Sequence, residues 1–298
     1  MNRDQTASQL MAAKITKDAS KQTYYTIRFL ADKELVADAY RAYAYFRWVD
    51  DVLDAPGGSR SEKINFVSRQ KYLMEACYQG LEPHEVCKEE WMLVDLIHND
   101  TEKNSGLKIY LHNMMDVMIF DTHRQGILVS QAQLTEYSHK LALAVTEALH
   151  FFIGHNNPAR RHEGRYLAVT AAHITHMLRD TYEDMQVEYI NIPQEYIQSH
   201  GLDKQDLTSP ATREWVCSRV RLAHEYFKSG RDVLSADQCL RRRLAGYAYT
   251  ARFEWVLRTI ERDNFCLRCE YSGRKSFAAG LWMTFRTLAS AFTFPWIN

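Results

Sequence analysis

The sequence predicts a single all-α domain spanning residues 1–298, built from about ten helices of ordinary length. Three observations carry the prediction. Only 6 prolines and 12 glycines punctuate the 298 residues. The stretches between them repeat apolar residues at helical period over long runs, and no period-two run of β-branched residues interrupts them. The breaks are short, and none is a polar linker of the kind that separates domains.

Taken in chain order, "ADAYRAYAYFRWVDDVLD" (37–54) reads as a helix whose aromatic stripe, Tyr40, Tyr43, Phe46 and Trp48, belongs mainly to the core. A break follows at "DAPGGSRSE" (54–62). "LTEYSHKLALAVTEALHFFIG" (134–154) is a second long helix, ended by "HNNPARRHEG" (155–164). "HMLRDTYED" (176–184) closes another apolar helix, and "NIPQEYIQSHGLDKQDLTSP" (191–210) reads as a loop. "RRLAGYAYTARFEWVLRTIERDNF" (242–265) is helical up to "EYSGRK" (270–275). The end, "AAGLWMTFRTLASAFTFPWIN" (278–298), is apolar but interrupted by Arg286 and closed by Pro295. It barely reaches the roughly 20 residues a span requires, so it reads as a terminal helix packed on the body, with a membrane-surface helix as the alternative.

Lys plus Arg equals Asp plus Glu at 37 each, which gives no basic field for nucleic acid and no acidic excess for disorder. The run Arg241, Arg242, Arg243 and the charges near 160 read as solvated faces or anionic-lipid contacts. Six scattered cysteines and an N-terminus without an apolar signal core point to a reducing, cytoplasmic setting, peripheral to a membrane if the terminal helix lies on one. Cys266 and Cys269 form one C-x-x-C, but no second ligand pair stands nearby for zinc. His112, His123, His139, His150 and His155 read as surface or hydrogen-bonded residues.

The acids are harder to explain as ordinary surface. Asp50 and Asp54 stand one helical turn apart on one face, and Asp180 and Asp184 repeat that spacing. Like charges there repel, and each pair ends an apolar segment carrying an arginine, Arg47 or Arg179. A single such pair is best read as a solvated face. Two pairs suggest carboxylates from two helices holding Mg²⁺, a hard cation that takes oxygen ligands and bridges substrate phosphates, with Mn²⁺ as the alternative. Arginines for phosphate oxygens and an aromatic interior for an apolar tail then predict an allylic diphosphate substrate, whose carbocation aromatic walls would stabilise.

At these residues the sequence resembles the squalene and phytoene synthases, which join two prenyl diphosphates head to head on an isoprenoid-synthase helical bundle. "KQTYYTIRFL" (21–30) is similar to their opening segment, "YRAYAYFRWVDDVLD" to their first acidic motif, "HITHMLRDTYED" to their second, and "FEWVLRTIERDNF" to a late helix. The resemblance covers nearly the whole chain. It implies metal ligation by Asp50, Asp54, Asp180 and Asp184, with Asp51 beside them. It places Arg47 and Arg179 near diphosphate and Tyr137 in the reaction cavity. Thr23 takes the place of a phosphate-contacting serine, although a one-residue shift would put Ser20 and Gln22 there. Farnesyl or geranylgeranyl diphosphate is the implied substrate. NADPH, which the squalene-forming branch needs, has no Gly-rich loop here and is left open.

The departures are specific. His173 and His176 stand in "HITHMLRD" where the family reads "Q-L-T-N-I-L-R-D", His176 replacing an asparagine that helps hold magnesium; imidazole prefers softer ions. "EYINIP" replaces "G-R-x-Y-L-P", so Glu188, Tyr189 and Asn191 stand for glycine, arginine and tyrosine. Leu143 and Thr146 replace cavity glycines, Val169 falls where "L-G" is usual, and Phe253 replaces a tyrosine. The added volume implies a narrower or reshaped pocket. Besides head-to-head condensation, two readings stay open: ionisation of a single prenyl diphosphate on the same scaffold, and a non-catalytic member of the family.

Overall fold

The computed structural model describes residues 5–157, 159–203 and 206–292. Among them are twelve α-helices, three 3₁₀ turns and no strand. In order the helices are α1 (Thr6–Ala19), α2 (Lys21–Leu30), α3 (Val36–Leu53), α4 (Arg60–Tyr78), α5 (Trp91–His98), α6 (Gly106–Arg124) and α7 (Gln131–Phe152). They continue with α8 (Leu167–Gln186), α9 (Gln194–His200), α10 (Pro210–Ala236), α11 (Leu240–Arg262) and α12 (Phe277–Phe292). The helix α9 corrects the loop expected over 191–210: it is 7 residues long, begins after Pro193 and ends at Gly201 in the left-handed conformation, too short to show a period.

Residues 1–123 with 147–158 form one compact unit, and 124–146 with 159–298 another. In the first, the break at 54–62 works as a helix start: Ser59 Oγ accepts from the Glu62 amide at 3.2 Å while Glu62 Oε2 accepts from the Ser59 amide at 2.7 Å, a reciprocal cap on α4. Arg41 fixes α3 against α1. Its buried guanidinium donates to Asp38 Oδ1 (2.6 Å), Ser8 Oγ (3.0 Å) and the Gln5 carbonyl (2.9 Å). Tyr40 and Phe46 are buried on the same helix, which leaves its last turn to carry the acids.

The second unit is centred on α8, packed between α10 and α11 over a core that includes Ala171, Leu178, Trp215, Phe227, Leu257 and Ile260. Gly230 permits the close approach of α10, since a Cβ there would come within 2.6 Å of the Ala168 backbone nitrogen. Ser209 caps α10 by accepting from the Thr212 amide at 3.1 Å, with Pro210 in the first turn. The solvated reading of 241–243 fails at Arg242. Its side chain is buried against Asp237, Nε to Oδ2 at 2.7 Å and Nη2 to Oδ1 at 2.9 Å, because the tight turn from α10 into α11 brings a carboxylate that run-of-charge reasoning does not see. The terminal helix α12 packs on α11, where Arg286 Nε donates to Glu254 Oε2 at 3.2 Å and Arg258 lies 4.9 Å over the Trp282 ring. Pro295 lies outside the described residues. Among those described, no helix is long and apolar enough to cross a membrane.

Candidate active site

The first acidic segment ends α3. Asp50 and Asp51 occupy its last turn and Asp54 is its C-cap, with no basic residue in that turn. Carboxylates at a helix C-terminus meet the negative end of the helix dipole, so position adds to mutual repulsion. Arg47 offers partial relief, with Nη1 3.4 Å from Asp50 Oδ2 and Nη2 on Asp51. It is not enough. Burial, then Asp54, and further Asp121 and Asp51 raise the Asp50 carboxyl to about 6 against the pull of Arg47. Burial also raises Asp54, opposed by Lys63 and Arg47 and reinforced by Asp121 and Asp51. Asp121, from α6, gives no signal in the sequence because nothing in its spacing relates it to residues 50–54.

This excess negative charge has a thermal consequence. The folded value of Asp50 lies above the ordinary 3.8, so the stability it contributes is fully present below that value and lost as pH rises through about 6. In chelator-containing buffer the melting temperature of the protein should therefore carry a downward component between about pH 4 and pH 7. Asp50→Asn should remove it; an identical pH profile in that variant would show that Asp50 is not under this load.

The second segment lies in the other unit and is balanced differently. Arg179 donates through Nε and Nη2 to both oxygens of Asp180, and His176 Nε2 stands 2.7 Å from Asp180 Oδ2. Burial alone would raise Asp180, but these hydrogen bonds and charges hold it well below the usual carboxylate range. Asp184 accepts from Asn191 Nδ2 at 2.6 Å. Asn191 Oδ1 accepts from Arg124 Nη1 at 2.8 Å, and the buried Arg124 guanidinium lies 5.0 Å from the Tyr137 ring and 4.8 Å from the Tyr189 ring. Two further hydrogen bonds sew the same stretches together, Gly126 N to Glu188 O at 3.0 Å and Gln125 Nε2 to Val187 O at 3.1 Å. Arg124 is thus a cation close to Asp184's partner that the sequence does not announce, since it ends a helix far from either acidic motif.

Glu188 takes φ of 66°, the left-handed region, at the position where the resemblance has glycine. A β-carbon there costs about 1–2 kcal/mol. Glu188→Gly should therefore raise unfolding stability by about 1 kcal/mol after the added freedom of the unfolded chain is subtracted, checked by urea titration; a loss would mean the Glu188 side chain contributes more than the backbone costs.

Around these acids, His173 is buried, with Nδ1 3.0 Å from Ser138 Oγ and its ring edge-on to Tyr137 at 4.8 Å. Burial, His176 and Arg124 lower it to about 3, so it stays neutral. His176 reaches Phe253 at 6.3 Å between ring centres, and Arg252 lies 4.6 Å over the rings of both Phe253 and Tyr249. Leu143 packs with Val169 and Tyr166, while Thr146 is buried with its hydroxyl unpaired. In the first unit Thr23 is half-buried, its Oγ1 and amide both turned to Ser20 Oγ at 2.9 and 3.2 Å, so the two hydroxyls that compete for the same alignment form one cap on α2. The structure therefore brings Arg47 with Asp50 and Asp51, and separately Tyr137, His173, His176, Arg179, Asp180 and Phe253.

Among the described residues no three His, Cys, Asp or Glu side chains form a ready chelating cluster. The residues fit Mg²⁺ nonetheless: Asp50 and Asp54 would offer oxygen donors one helical turn apart in a group of acids that a cation would relieve, and this ion ordinarily completes its shell with water and substrate phosphate. The imidazole nitrogen of His176 nearest the acids is engaged by Asp180.

The squalene/phytoene synthase family model matches residues 16–275. The chain belongs to that family. Members act on prenyl diphosphates with a divalent metal, and this chain is accordingly a prenyl diphosphate transferase. Among solved structures, squalene synthase HpnC from Alicyclobacillus acidocaldarius is similar with a TM-score of 0.67 at 14% identity, covering 88% of this chain and 95% of that one, a likeness of fold. No curated protein sequence matches.

Proposed function

We propose that this squalene/phytoene synthase family member condenses two prenyl diphosphates head to head with release of pyrophosphate, and that both acidic segments serve the reaction through Mg²⁺. The carrying observation is the crowding of carboxylates at the end of α3, where Asp50, Asp51 and Asp54 stand within two turns with Asp121 beside them and Arg47 and Lys63 opposing, a set of oxygen donors that a cation would neutralise. Mg²⁺, when bound, supplies Lewis-acid stabilisation of the departing diphosphate. Arg47 and Arg179 hold phosphate oxygens in exchange for part of their carboxylate contacts. Tyr137 and Phe253 wall the prenyl chain and keep water away, each ring already lying under a guanidinium, that of Arg124 and that of Arg252. His173, held neutral, adds no second cation beside Arg124 at the Tyr137 ring.

A second reading, ionisation of one prenyl diphosphate without condensation, is favoured by Leu143 packed on Val169 and Tyr166, which fills volume at positions where the family carries glycine. Incubation with Mg²⁺ or Mn²⁺ and geranyl, farnesyl or geranylgeranyl diphosphate, with and without NADPH, separates the two. Pyrophosphate with a squalene-length or phytoene-length product supports condensation, and pyrophosphate with a single-chain product supports the second reading. No pyrophosphate from any substrate overturns both in favour of a non-catalytic member. The exposed Phe277, Leu281, Phe285 and Leu288 on α12 support peripheral contact with an apolar surface, checked by co-sedimentation with anionic vesicles.

A further inference from the structure

A pocket of about 100 Å³ opens within the second unit between α7, α8 and α10, beside the acidic face of α8. Its walls are mainly apolar, with Leu134, Ile174, Met177 and Leu222 among them. Two donors on one face of α10 break that wall. Trp215 is 5% exposed, and its indole N–H is buried with no hydrogen-bond acceptor. Arg219, one turn later, is half-buried; its Nε donates to Ser218 Oγ at 3.3 Å, and no carboxylate pairs with it among the described residues. A buried donor left unmet is destabilising, and a guanidinium held partly out of water beside apolar side chains lacks the counter-charge it ordinarily finds. Every acceptor that would remove both deficits is an anion.

We infer that this pocket is a binding site for a compact amphiphilic anion, its carboxylate or phosphate held by Arg219 and the Trp215 indole N–H and its short branched apolar body against Leu134, Ile174 and Leu222. Size fixes the class. A dry cavity of about 150 Å³ accepts benzene, so this one accepts a body of about four or five carbons and no long prenyl chain. The site does not use the metal-binding acids. It has a physical link to them, however, since Asn191 lines the pocket and also donates to Asp184, and Ser138 lines it and meets His173.

The site is tested on the full chain by calorimetric titration and saturation-transfer NMR with two probes, isovalerate and 3-methylbutyl phosphate, in buffer free of divalent metal. Saturable binding of either probe is expected at millimolar concentration or below; the tighter of the two identifies the head group. Arg219→Gln should weaken it at least tenfold. Trp215→Phe, which keeps the ring and removes the donor, should weaken it severalfold in protein shown by circular dichroism to be folded. Asp180→Asn should leave it unchanged. Absence of binding by both probes at ten-millimolar concentration, undiminished binding in Arg219→Gln, or a severalfold change of affinity in either direction in Asp180→Asn would each overturn the assignment, the last because the probe would then sit at the acidic segment. None of these readouts requires turnover, so the outcome is independent of the proposed condensation.

Discussion

Asp50→Asn and Asp180→Asn should each lower pyrophosphate release by more than about a hundredfold, since on the proposed function each removes an oxygen ligand for the divalent ion from a different acidic segment. Their stabilities should part company. Asp50 is raised by burial and three carboxylate neighbours, so its neutralisation relieves repulsion and the metal-free protein should melt at an equal or higher temperature. Asp180 is the counter-charge of Arg179 and the partner of His176, so its neutralisation leaves a part-buried guanidinium short of an acceptor and should lower the melting temperature. Wild-type turnover in either variant removes that segment from the reaction, and a stability loss of the same size in both would mean the charge balance described here is wrong.

The largest effect on stability is expected at the turn between α10 and α11. Arg242→Met removes a cation that is 1% exposed and leaves Asp237, itself almost fully buried, with its link to the Cys239 amide at 2.8 Å but without its bidentate partner. Breaking a buried pair from one side costs about 3–5 kcal/mol. Urea unfolding should register a loss of that order, and Arg242→Met combined with Asp237→Asn should recover part of it, because the stranded charge is then gone. A loss below about 1 kcal/mol would mean that solvent reaches the pair once the arginine is removed.

The helices were legible because period and punctuation agree locally: the apolar faces of α3, α7, α8 and α11 and the breaks between them are all written within a few residues. The acids of the candidate site were legible for the same reason, since each pair is one helical turn. What spacing could not express is the environment at each pair. Asp50 and Asp180 look alike as letters, yet one is crowded by Asp121 from a distant helix and the other is neutralised by its own neighbours, a difference that only the fold creates. Arg124 was missed, Asn191 was seen only as a replaced tyrosine and Arg242 was read as solvated on similar grounds, as their partners lie many residues away or across a turn. The short α9 escaped because about two turns carry too little period to detect.

The stitching of residues 124–126 to 187–191 also has a dynamic meaning. The Gly126 amide, the Gln125 and Arg124 side chains and the two tyrosine rings cannot be released one at a time without exposing a buried guanidinium, so the stretch after α8 and the stretch after α6 open as one cooperative unit. In hydrogen exchange the Gly126 amide, bonded to Glu188 O, and the Tyr189 amide, bonded to Asp184 O at 2.8 Å, should then share one opening free energy. Asp184, tied to this seam through Asn191, keeps its place for as long as the seam stays shut.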